Sequence, residues 1–194
     1  MHDIVNFVRN NDIDNVKKCI ESDSALVDAR DEEDRFTVLM ICAKKGFLDI
    51  AKLLVENGAT IDARSKTGIT ALMFACAEKN FDIVEYLIDS GANVNLIDRV
   101  SFTALLYASL TKEFDIIKAL VNAGANVNAK NFKLVTPLMF AAGVNDIDTV
   151  KFLIDNGADL EHKNKEGLNA LSFALKKEAF EAVDFLKPYY NNNY

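Results

Sequence analysis

The chain has 194 residues, half of them hydrophobic, with 22 Lys and Arg against 29 Asp and Glu for a net charge of −7. That is enough apolar residue for a core, and a negative chain repels polyanions, so nucleic acid is excluded as a partner. No apolar run approaches the roughly eighteen residues of a membrane span, no basic-then-apolar export segment opens the chain, and three cysteines are an odd number for a disulfide framework. The expected setting is therefore cytoplasmic and reducing, with no membrane contact.

In chain order, Asp3 to Asn10 and Asp14 to Ser22 are predicted as a shortened helix pair whose outward residues include Asn6, Arg9, Lys17, Lys18 and Glu21. From Thr37 onward a phrase recurs every 33 residues: Thr37, Thr70, Thr103, Thr136 and, in a fifth copy, Asn169. Each is followed two positions later by Leu39, Leu72, Leu105, Leu138 or Leu171, and three further on by Cys42, Ala75, Ala108, Ala141 or Ala174. Thr suits a helix N-cap because its hydroxyl accepts an otherwise unpaired first-turn amide, and Pro137 fits the first helical position. A second helix is predicted to open near Asp49, Asp82, Asp115, Asp148 and Glu181, where an acid meets the positive end of the helix dipole. Its apolar positions keep helical spacing, as in Phe81, Val84, Leu87 and Ile88, while Lys52, Glu85, Lys118, Lys151 and Asp184 mark the opposite face. Gly58, Gly91, Gly124 and Gly157 stand where a left-handed residue closes a helix. Pro188 is expected to stop the last helix, leaving Asn191, Asn192 and Asn193 as a frayed polar tail.

A fixed period of this size signals a solenoid, and the T-x-L-x-x-A phrase, the acid and the closing Gly-Ala together resemble the ankyrin repeat, a family with this known period. The likeness covers nearly the whole chain, in five clear copies after a degenerate first unit. It implies an all-α ankyrin-repeat solenoid of about six helix-turn-helix units with short β-turn fingers, forming one domain. The expected divisions are a capping repeat at 1–34, full repeats at 35–67, 68–100, 101–133 and 134–166, and a capping repeat with tail at 167–194, the two caps showing polar outer faces. Where the family carries a histidine after the leucine, this chain has Met40, Met73, Leu106, Met139 and Ser172, read as flexible gap fillers.

The residues give no chemistry. His2 and His162 have no second ligand at metal-binding spacing, no histidine is placed to activate Cys19, Cys42 or Cys76, and there is no phosphate loop. No enzymatic activity, cofactor or metal is expected, and the resemblance implies a non-enzymatic scaffold that binds another protein.

The resemblance also implies that binding residues lie on the turn tips before the Thr or Asn and on the exposed end of the first helix, along a concave face. The 25 positions four, three and one before that residue, and seven and eight after it, hold eight Lys or Arg against four Asp or Glu on an acidic chain. The residue just before it is always apolar: Phe36, Ile69, Phe102, Val135 and Leu168. The third and fourth copies add Val100, Leu110, Phe132 and Val144, with Arg99 and Lys133 as their only charges. An apolar strip rimmed by basic residues is the expected docking site for a partner with apolar anchors and acidic flanks. Two alternatives stay open: a homodimer burying the same strip, and Phe36, Ile69 and Leu168 stacking between adjacent tips.

Overall fold

A computed structural model describes residues 3–191; His2, Asn192 and Asn193 lie outside the described residues. The chain divides into two compact units, Met1–Arg99 and Val100–Tyr194. Among the described residues there are twelve α-helices, and strand pairing is limited to one isolated bridge between Arg30 and Thr37.

In the first unit, α1 (Asp3–Arg9), α3 (Val38–Lys45) and α5 (Ala71–Ala77) stack as one layer, and α2 (Ile13–Ser22), α4 (Leu48–Glu56) and α6 (Phe81–Asp89) form the other. In the second unit, α7 (Ala104–Ala108), α9 (Pro137–Gly143) and α11 (Ala170–Lys176) pack on α8 (Phe114–Asn122), α10 (Ile147–Asp155) and α12 (Phe180–Asn191). The degenerate first pair matches the expectation, with Ile4, Val5, Val8, Val16 and Ile20 turned inward.

Such short helices are marginal alone, so capping and packing must hold them. Thr37, Thr70, Thr103 and Thr136 each accept the amide three residues on, at 3.2–3.4 Å, and Asn169 accepts that of Ser172 at 2.9 Å. Pro137 occupies the first turn of α9, and Gly58, Gly91, Gly124 and Gly157 all have φ between 84° and 89°. Leu39, Leu72, Leu105 and Leu138 are at most 2% exposed, a burial that stabilises by roughly 1.5–3 kcal/mol each. Met40, Met73 and Met139 fill the same core, and the Met40 sulfur accepts the Thr37 amide at 3.4 Å. Among the described residues no buried side-chain N or O lacks a hydrogen-bond partner.

Between pairs the chain makes a finger built on one side-chain oxygen. Asn131 Oδ1 accepts the Lys133 and Val135 amides at 2.9 and 3.0 Å, and Asn164 Oδ1 accepts those of Glu166 and Leu168 at the same distances. Asp31 and Ser65 do this in the first unit, for Asp34 and Phe36 and for Thr67 and Ile69. Successive fingers within a unit are then tied by single backbone bonds, Lys66 to Asp34 and Arg99 to Thr67, Phe132 to Val100 and Lys165 to Lys133.

Two expectations need correction. Pro188 does not stop the last helix, which runs through it to Asn191. The missing proline amide is offset by tertiary anchors: the Phe185 and Tyr189 rings lie 5.7 Å apart, and the half-buried Tyr190 hydroxyl donates to the Leu160 carbonyl at 2.6 Å. Burial, with Glu161 nearby, pushes the Tyr190 phenol up to about 12, which keeps it a donor. The outer face of the α11–α12 pair is also not polar, since Leu175 is 57% and Phe180 63% exposed.

Leu134 holds φ 59° with its side chain outward, a left-handed conformation that glycine adopts freely in the matching Gly68 and Gly167. Leu134→Gly should therefore raise unfolding free energy by about 1 kcal/mol in urea titration, and a loss of stability would contradict the strain. Cys42 and Cys76 are fully buried and Cys19 half-buried; burial pushes the Cys42 thiol up to about 12 and raises Cys76 as well. Thiol titration of the native protein is expected to modify Cys19 first, with Cys42 and Cys76 reacting only when denaturant opens the fold.

Candidate functional site

In the second unit the fingers and the inner helices α9 and α11 enclose an open groove of about 800 Å³. Its floor is a run of aromatic rings. Phe102 lies 5.7 Å from Phe140, and Phe140 lies 6.5 Å from Phe173 edge-to-face, separations at which aromatic pairs attract. Phe140 and Phe173 stand four residues after Thr136 and Asn169, so the cap that starts each helix also sets its ring toward the groove. Gly143 makes room for Phe173: a Cβ there would come within 2.8 Å of that ring. Phe132, on a finger tip, is 50% exposed beside the rings, with Leu110 42% exposed at the rim.

The rim is basic. Lys133, Lys165, Lys176 and Lys177 line the groove against the single carboxylate of Glu166. Lys133 Nζ sits 5.7 Å from the Phe132 ring centre and Lys177 Nζ 5.9 Å from that of Phe173, so both cations lie over aromatic faces. Lys176 pairs with Glu166; that hydrogen bond and charge, with Lys133 and Lys177 adding to them, hold the Glu166 carboxyl below its ordinary value. The groove thus carries a field that favours carboxylates beside a floor that favours apolar groups.

Of the predicted strip, the groove brings together Phe102, Leu110, Phe132, Lys133, Val135 and Val144. Val135 was expected at the surface but is only 5% exposed: its amide is drawn onto Asn131 Oδ1 and its carbonyl accepts the Asn131 amide, which turns the side chain inward. Phe102 is half-buried against Tyr107 and Phe140. Val100 is 45% exposed, and Leu168 is half-buried with its amide on Asn164; neither lines the groove. Phe36, Ile69 and Arg99 belong to the first unit. There Phe36 is half-buried, packing edge-on to Phe74 at 4.9 Å beneath Lys44; Ile69 is half-buried and Arg99 exposed.

Sequence reasoning missed Phe140 and Phe173, although the signal was present. The position four after the cap reads Ile41, Phe74, Tyr107, Phe140 and Phe173, aromatic in four of the five copies, and it shares a helix face with the positions seven and eight after the cap. It also missed the finger oxygens of Asp31, Ser65, Asn131 and Asn164, which recur five or six residues before the cap.

Among the described residues no group of three or more His, Cys, Asp or Glu side chains could hold a metal ion. His162 is engaged with the Leu134 carbonyl at 2.9 Å. No helix among the described residues is long and apolar enough to cross a membrane.

Known proteins place these features in a family. Over 59 residues the chain is 41% identical to the acyl-CoA-binding domain-containing protein 6 homolog of Dictyostelium discoideum, a match taking in 30% of this chain and 20% of that protein. The chain thus spans about a fifth of the curated relative it matches. The family model for ankyrin repeats, in three copies, matches residues 4–98, 59–131 and 105–194. With Thr-capped helix pairs at the same period, the chain belongs to the ankyrin repeat family, whose repeats are protein–protein interaction modules.

Proposed function

We propose that this chain is a non-enzymatic binding module whose second unit takes a segment of another protein, one with apolar anchor side chains flanked by Asp or Glu. The observation that carries the reading is the groove itself: the half-exposed Phe132 and the Phe102, Phe140 and Phe173 rings lie beneath four lysines opposed by one glutamate. Large apolar side chains left in water beside a floor of rings are what a partner's anchors would cover. The lysines would steer acidic flanks toward it and orient them. Fingers tied to one another by backbone bonds offer that surface already formed, so little ordering is lost on binding.

A homodimer through the same strip is the weaker reading, because two copies would bring their lysine rims together. A cytoplasmic, reducing setting agrees with three free thiols, two of them deep in the core.

Selection of short random peptides on the immobilised full chain tests the proposal. Enriched peptides should pair aromatic or aliphatic residues with Asp or Glu, and their binding should weaken as salt rises. Phe132→Asp should cost roughly thirtyfold or more in affinity while leaving the melting temperature close to wild type, since Phe132 is half in solvent. Enrichment of basic peptides, or binding that Phe132→Asp leaves unchanged, would end the reading.

A further inference from the structure

We propose that Glu166 sets the specificity of the groove as an internal competitor: its carboxylate holds Lys176 in the free chain, and an acidic side chain of the partner displaces it on binding. This rests on the reading of the groove as the site for an acidic, apolar segment, and it names what that site gives up when the segment enters.

Glu166 stands at a finger tip three residues before Asn169, and Lys176 stands seven residues after Asn169 at the end of α11. Finger and inner helix are the two walls of the groove, so the bond between Glu166 and Lys176 ties one wall to the other. The other two copies in this unit cannot make it, because the same positions hold Val100 with Leu110 and Lys133 with Gly143. The finger beneath Glu166 is fixed, with the Glu166 and Leu168 amides on Asn164 Oδ1 and the Lys165 amide on the Lys133 carbonyl. Its carboxylate is therefore kept among cations: Lys176 bonds it, and Lys133 and Lys177 add their charge. A carboxylate from the chain itself thus marks the place where one from outside gains most.

The strength of the bond suits exchange. Glu166 and Lys176 are 54% and 55% exposed, and an ion pair so far in water is weak. A partner acid that takes Lys176 replaces one such bond with another like it, so that step alone gains little. Net affinity comes only when further acids meet Lys133, Lys165 or Lys177, or when an apolar anchor seats on the rings at the same time. Glu166 therefore discriminates against segments that are merely acidic and favours those that combine acids with anchors.

Fluorescence anisotropy on the full chain decides it, with two probes: an acidic peptide selected on the wild type, and its counterpart carrying Asn and Gln for Asp and Glu. Glu166→Gln should tighten the acidic peptide about fivefold and leave the neutral one unchanged. Asp155→Asn, which removes an exposed acid outside the groove, should leave both near wild type. Lys176→Met should cost more affinity in the Glu166→Gln chain than in the wild type, where Lys176 must first give up its internal bond. Selection that returns no acidic peptide would overturn the groove reading and this proposal together. Acidic binding that Glu166→Gln weakens or leaves unchanged would overturn this proposal alone. So would equal tightening of both probes, or a Lys176→Met cost that is the same in both backgrounds.

Discussion

One side-chain oxygen per finger, taking two backbone amides at once, is the constraint on which the groove depends. In the second unit that oxygen belongs to Asn131 and Asn164, both buried, and each folds the next four residues back onto itself. A finger with unpaired amides would be held only by its tip. With those amides satisfied it becomes a fixed loop leading directly into a capped helix, and the Thr136 or Asn169 side chain then starts that helix at a defined angle. The direction of Phe140 and Phe173 follows from that start, so the aromatic floor is set by polar chemistry some residues upstream of it.

The same constraint accounts for the different fates of Phe132 and Val135. Both are apolar and three residues apart, and composition alone assigns both to a strip. Val135 follows the left-handed Leu134 and has both backbone polar groups committed to Asn131, which carries its side chain into the core. Phe132 lies at the tip, where only its amide is engaged, with the Val100 carbonyl, and its ring stays half in solvent beneath Lys133. Exposure in such a finger is decided by which backbone groups are tied back, a property that hydrophobicity does not report.

Features set by the period itself were legible before the structure: the Thr and Asn caps, the glycines that close the second helices, the leucine column, and the degenerate first pair. Each depends on a local rule that repeats, so every copy tests the others. Phe140 and Phe173 were less legible because the resemblance points to the fingers and to the far turn of the first helix, while these two rings sit one turn earlier, where core and surface share the helix. Pro188 departs from its local preference for a different reason. The local preference to end a helix at proline is worth about 3 kcal/mol, and the anchoring of Tyr190 on Leu160 together with the Phe185–Tyr189 contact lies in tertiary packing, which a propensity argument does not contain.

The two apolar surfaces of the second unit differ in the charge that surrounds them, and that difference decides what each can accept. Around the groove, Glu166 is outnumbered by lysines and is already held ionised by Lys176, so the face has a surplus of positive charge that only an acidic group from outside can neutralise. Around Leu175 and Phe180 acids and bases are interleaved, with Lys187 bonding Asp184 at 2.7 Å, so that face has no surplus of either sign. A partner suited to the first is repelled by nothing at the second, yet gains no charge complementarity there, while a second copy brought to the groove meets its own lysines. Apolar exposure marks where binding energy is available, and the sign and order of the surrounding charges select the occupant.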